Sequence, residues 1–340
     1  MDRAWVVVAA LTAACGAGPA RAPASSDTAR VAGAIAAERG RRVAARDPVP
    51  ASSDPRERIV HERAGAIWSM RADGSERFAI TVRSDAAPDR DPAIGPGGRV
   101  AFWSARDGAA RIFVTTLGDG IAEPLTAGPG DREPAWSPDG RFVAFVREAP
   151  DGRRDLCTVD VATRAVRVVV AGNDDRPDRV GAPAWSPDGR LIAFAADRRA
   201  GQGSLLWTVR PDGTDLHRLT PPVAGAWFVH DRRPAWSPDG RRVVFASNRH
   251  VPGPGHDADF DIYAIDADGG DLVRLTEDPG VADDPAFSPD GARVFFTSTR
   301  DATSAYEVEI YVMPAGGGQQ RRITRDAHPQ NRAPSPGRAQ

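Results

Sequence analysis

The eight residues "PAWSPDGR" occur three times in this chain, at 134–141, 183–190 and 234–241. Two variants, "PAFSPDGA" from Pro285 and "PAIGPGGR" from Pro92, keep the same framework. The five copies begin at 92, 134, 183, 234 and 285, in steps of 42, 49, 51 and 51 residues. A period of roughly 40–50 residues marks one supersecondary unit that must stack on its neighbours, as a propeller blade or a helical pair does. Strand character decides between the two.

Within four of the five copies "SPDG" supplies Pro at the second turn position, Asp at the third and Gly at the fourth, the chemistry of a type I turn. The phrase reads as a strand ending in a turn. A β-rich segment follows each time: "VAFWS" from Val100, "FVAFV" from Phe142, "LIAFA" from Leu191, "VVFAS" from Val243 and "VFFTS" from Val294, with "IVHER" from Ile59 in the same place. A third strand recurs six times, as "IWSM" from Ile67, "IFVT" from Ile112, "LCTV" from Leu156, "LWTV" from Leu206, "IYAI" from Ile262 and "IYVM" from Ile310. Polar Gly turns and a short fourth strand ending in forms such as "RLT" at 218–220 and 274–276 come next. Apolar runs of about five residues between turn signals give no sustained helical period, which excludes a helical solenoid. The unit is a four-stranded antiparallel meander, and a ring of such units is an all-β propeller.

Six third strands against five full first strands give a six-bladed propeller that starts at the second strand of its first blade. The C-terminal "NRAPSPGR" from Asn331 keeps Pro and Ser-Pro-Gly. It is expected to supply the missing innermost strand and close the ring, leaving no open edge there.

Repeats of this kind resemble the PD40, or TolB-like, β-propeller family over roughly residues 58–337. The resemblance implies a propeller that uses its face and channel for protein partners in the cell envelope. TolB proteins carry an α/β domain ahead of the propeller, for which the stretch before Arg58 is too short. Prolyl-oligopeptidase relatives pair a propeller with a hydrolase domain bearing a G-x-S-x-G elbow, and the sequence has no such motif.

With 340 residues, 41% hydrophobic, and a formal net charge of −2, the chain can bury a substantial core and is not a polybasic nucleic-acid binder. The apolar run from Ala4 to Ala14, ending at Cys15, is short for a membrane span and reads as an export signal over residues 1–15. "LTAAC" is similar to a bacterial lipobox, so Cys15 is a candidate for lipidation and the only expected route to a membrane. Residues 16–55, rich in Ala, Arg, Ser and Pro, read as a tether, and residues 56–338 as the propeller. Cys157 alone then remains, so no intramolecular disulfide is expected in the mature chain.

In such blades the "SPDG" turns occupy one face and the loops into the first strands the other. The second face carries "DRD" with Asp91, "DRE" with Asp131, Arg132 and Glu133, and "DRV" with Arg179. It also carries "HDRR" with His230, Asp231, Arg232 and Arg233, the pair Asp283 and Asp284, and "HPQNR" with Arg332. These charges precede the innermost strands and should crowd the channel mouth, where a mixed-charge rim suits a protein or peptide partner. Solvated loop polarity is the plainer reading of the same residues.

The insertion at 248–261 offers His250, His256, Asp257, Asp259 and Asp261 as metal candidates, without the Gly and distal Glu of an EF-hand. Oligogalacturonate lyases, with similar repeats, hold a catalytic metal through His and Gln, and the nearest set here is His230, His328 and Gln330. Three isolated residues have structural readings: Cys157 as a buried thiol, His61 as a packed ring in a Phe slot, and Trp136, Trp185 and Trp236 as blade packing. The expectation is an exported, monomeric, non-enzymatic protein-binding propeller without cofactor. The alternatives are a channel-site metal-dependent lyase or hydrolase, and a structural lipoprotein.

Overall fold

The computed structural model describes residues 6–9, 49, 57–82, 87–118, 120–172, 178–197, 203–223, 228–250, 259–301 and 308–324. They form six four-stranded antiparallel sheets, the blades of a propeller. Blade one comprises β1 (Val6–Ala9), β2 (Arg58–Arg63), β3 (Ala66–Arg71) and β4 (Phe78–Ala79). Blade two holds β5 (Arg90–Ile94), β6 (Arg99–Ser104), β7 (Arg111–Thr116) and β8 (Glu123–Pro124). Blade three runs through β9 (Asp131–Trp136), β10 (Phe142–Glu148), β11 (Arg154–Asp160) and β12 (Val166–Val170). In blade four are β13 (Asp178–Trp185), β14 (Ile192–Asp197), β15 (Ser204–Val209) and β16 (His217–Arg218). Blade five has β17 (Asp231–Trp236), β18 (Arg242–Ser247), β19 (Asp261–Asp266) and β20 (Val273–Arg274). Blade six ends the ring with β21 (Ala282–Phe287), β22 (Arg293–Ser298), β23 (Glu309–Pro314) and β24 (Arg321–Arg322).

The "SPDG" turns form as their chemistry dictates. In blade three the Gly140 amide donates to the Ser137 carbonyl at 2.9 Å, while Asp139 Oδ1 accepts from Ser137 Oγ and from the Arg141 amide. Ser137 Oγ also accepts from the Phe142 amide, and the same set recurs from Ser186, Ser237 and Ser288. Gly140 has φ +68, in the left-handed region that an L side chain rarely adopts.

Burial lies between blades. β18 and β19 place alternate side chains against both neighbouring sheets, so Val243, Phe245 and Tyr263 pack toward blade four, and Val244 and Ile262 toward blade six, where they meet Phe296. Two of the repeating Trp residues staple their blade to the one before it: Trp136 Nε1 donates to the Ala93 carbonyl at 3.1 Å and Trp236 Nε1 to the Ala184 carbonyl at 3.2 Å, while Trp185 packs against the cluster of Ile192 and Phe194. Blade packing is therefore their role, as the sequence indicates.

Ring closure differs from expectation. The innermost strand of blade one is Val6–Ala9, antiparallel to β2 with Val8 opposite Ile59 and Val7 opposite Val60. Asn331 and the rest of the C-terminal tail lie outside the described residues. A run of three β-branched residues has high strand propensity, and the inner edge of β2 offers the fully buried Ile59 and Val60, so the pairing satisfies both. The propeller therefore draws one strand from the segment assigned to the export signal. Val49, in the expected tether, packs against the cluster containing Ile59, Met70 and Phe295.

Candidate functional site

The charged tripeptides before the innermost strands divide their work by position. In blades two, three and five the first Asp is buried and pairs within its own blade with an Arg at or just beyond the end of the second strand. Asp131 binds Arg147 through both carboxylate oxygens, at 2.7 and 3.0 Å, and Asp89 binds Arg106 at 2.5 Å. Asp231 holds Arg249 at 2.5 Å and accepts from Ser247 Oγ at 2.6 Å, with Asp231 and Arg249 both essentially inaccessible to solvent. Asp131 and Asp231, expected at a partner-binding rim, are thus internal locks. The middle residue reaches sideways between blades: Arg132 stacks over Trp103, and Arg232 lies over Phe260 while pairing with Asp283 at 2.7 Å.

The residue just before the Pro turns toward the axis. Asp91, Glu133, Ala182, Arg233 and Asp284 all have positive φ, between +47 and +54. Each stands before a Pro, where the right-handed helical region is disfavoured, and each strand changes register there. A left-handed residue in a bulge rotates its side chain out of the sheet's alternation. All five line one cavity of about 370 Å³ on the propeller axis. Below this collar the walls are the Pro and Ala of β5, β9, β13, β17 and β21, then Ile94, Trp136, Trp185, Trp236 and Phe287. The channel is a charged mouth above an apolar throat.

Three acids share one guanidinium at the collar. Arg233 reaches Asp91 and Asp284 at 3.4 Å each. Asp91 also accepts from Trp103 Nε1 at 2.6 Å, Asp284 from Thr297 Oγ1 at 3.2 Å, and Glu133 from the Ala182 amide at 2.5 Å. Burial, then the neighbouring Asp283, pushes the Asp284 carboxyl well above the usual range. Burial also raises Asp91, with Glu133 adding to the rise and Arg233 opposing it. Burial works against the charge on Arg233, yet Asp91, Glu133 and Asp284 raise its pKa. The collar therefore holds more carboxyl groups than it has cations to match.

Glu62 belongs to this network although nothing in the repeat marks it. Its Oε1 accepts from the Asp91 amide at 2.5 Å and its Oε2 lies 3.6 Å from Arg90. Burial first, and Asp91 second, lift it well above its ordinary pKa. An acid in a second-strand slot filled elsewhere by Trp103, Ala246 and Thr297 was the available signal.

Other candidates fall elsewhere. His230 is half-buried, held through its amide by Asn248 Oδ1 at 2.7 Å, and does not line the channel cavity. His328, Gln330 and Arg332 lie outside the described residues, as do His256, Asp257 and Cys15; the Arg179 side chain is likewise not described. His250 lies 3.2 Å from Asp261 and 3.6 Å from Asp259. The Asp261 carboxylate is already taken by Arg274 at 2.5 Å and Thr276 at 2.6 Å, so a metal there would face a guanidinium. Cys157 is fully buried and its thiol is pushed up to about 12 by that burial. His61 is 5% exposed in its Phe slot.

The PD40 family profile, described as the TolB beta propeller domain, matches residues 59–227, 133–255 and 223–337. The chain belongs to the TolB beta-propeller family. This TolB-family chain is 30% identical over 198 residues to the uncharacterized protein Atu1656 of Agrobacterium fabrum, covering 57% of this chain and 58% of that one. It is 28% identical over 91 residues to the Tol-Pal system protein TolB of Francisella tularensis subsp. mediasiatica, covering 27% of this chain and 19% of the relative. The crystal structure of TolB from Acinetobacter baumannii superposes with a TM-score of 0.60 at 22% identity, over 75% of this chain and 61% of that one. The chain thus spans less than two thirds of each of these three proteins.

Proposed function

We propose that this TolB-family chain is an exported, envelope-associated scaffold that binds a protein or peptide partner at the charged mouth of its channel. The observation that carries the reading is the collar itself. One backbone geometry recurs in five blades, yet its side chains are Asp, Glu, Ala, Arg and Asp. The scaffold fixes where these side chains point and leaves their identity free, which is the arrangement of a display surface. Their charges sit at a concave, partly apolar site, the usual form of a recognition site. The Tol-Pal name of the Francisella relative points the same way. No helix among the described residues is long and apolar enough to cross a membrane.

Neutralising the collar with Glu133→Gln, Arg233→Gln and Asp284→Asn together should abolish cross-linked capture of a partner from envelope extract. The thermal midpoint of the variant is recorded alongside, because the changes are buried. A variant that stays folded and captures the same partner in the same yield would refute the site assignment.

A further inference from the structure

Blade one departs from the other five at its innermost strand. β5, β9, β13, β17 and β21 each carry a register shift and a left-handed residue before a Pro. The described residues of β1 pair with β2 without a shift. In blade five Trp236 stands opposite Val243 and Ala235 opposite Val244. The corresponding pairs in blade one are Val8 with Ile59 and Val7 with Val60, so valines stand at the register positions of Trp and Ala. β1 also lies against β5 on one side and β21 on the other, in the ring position of an innermost strand.

The same four residues sit inside the apolar run from Ala4 to Ala14, which reads as an export segment. In the slot, their backbone is extended and hydrogen-bonded to β2. In a bilayer, a short apolar segment must satisfy its backbone groups within itself, as a helix. One segment cannot do both at once. We propose that the inner edge of β2 is an acceptor site for the chain's own Val6–Ala9, and that ring closure and membrane engagement of this segment exclude one another. A chain that folds with residues 1–15 attached commits the backbone of its membrane-directed segment to pairing with β2. A chain that loses them exposes an unpaired strand edge beside Ile59 and Val60. The second half of the proposal rests on reading residues 1–15 as an export segment.

Two measurements on the full chain and on a chain lacking residues 2–15 test it. The first is amide exchange on β2, where alternate residues face β1 and β3. Deletion should speed exchange at the β1-facing amides by roughly tenfold or more while the β3-facing amides change less. Unchanged protection would show that Val6–Ala9 does not fill the slot. The second is order of addition with vesicles of phosphatidylethanolamine and phosphatidylglycerol. Denatured full chain diluted directly into vesicles should be captured, and chain folded beforehand should not. Equal capture in both orders would overturn the exclusion. Capture in neither order, with protection lost on deletion, would remove the export reading and leave the acceptor slot standing.

Discussion

Each charged tripeptide before an innermost strand looks alike in sequence and separates in the structure by the direction of each side chain. Asp231 is structural, and its loss leaves the buried Arg249 without its partner. Asp231→Ala should therefore cost about 3–5 kcal/mol, the range for breaking one side of a buried ion pair, read as a lowered midpoint in chemical denaturation. Glu62 responds to pH in a defined direction. Its carboxyl holds a proton more tightly in the folded chain than in the unfolded chain, so its contribution to stability falls as pH rises through the raised folded value. Glu62→Gln keeps an oxygen that can accept from the Asp91 amide and removes the ionisation. The variant should melt higher than the parent at neutral pH, and the gap should close as pH is lowered toward 4, roughly the ordinary carboxylate range. A gap that is constant with pH would show that Glu62 is not the titrating group. Asp91 neighbours Glu62 and is raised too, so the titration observed will belong to the pair.

At the scale of the strand and turn, Gly95 shows what a variant copy of the repeat means. It replaces the Ser of "SPDG", and its φ of −116 is open to any residue. Space makes it glycine: an added Cβ would lie 2.5 Å from the Trp136 ring, which is already held by the Ala93 carbonyl and covered by Arg99 at 4.4 Å. Gly95→Ala should destabilise by about 1–3 kcal/mol through overpacking, measured by thermal unfolding. The turns, the third strands and the blade number were legible because each is encoded locally, by Pro, Asp and Gly at fixed offsets and by apolar runs. The Thr of "RLT" was legible as a strand end but not as a bond: Thr220 and Thr276 Oγ1 each accept from a third-strand amide, at 3.0 and 2.9 Å. Thr81, Thr126 and Thr324 repeat the contact. β1 was not legible as an innermost strand, because "VVVA" has neither the Pro nor the turn that marks the other five. Of the rim residues, Asp91, Glu133, Arg233 and Asp284 converge as expected. Asp131 and Asp231 do not, because a one-residue difference in a bulge decides which way a side chain faces, and spacing alone does not reveal it.

Across the whole molecule, six sheets that cannot bury both faces alone are fixed by one another, and the price of the ring is an axial channel. This chain lines that channel with an apolar throat and gathers its unmatched acids at the mouth. The central claim is that the mouth, rather than the turn face, meets the partner. The most direct test places a photoreactive phenylalanine analogue at Ala182, the uncharged member of the collar, and in a second chain at Asp239 on a turn of the opposite face, followed by irradiation in the cell envelope. A discrete adduct from Ala182 and none from Asp239 is the expected result. An adduct from Asp239 alone, or equal adducts from both positions, would contradict the account.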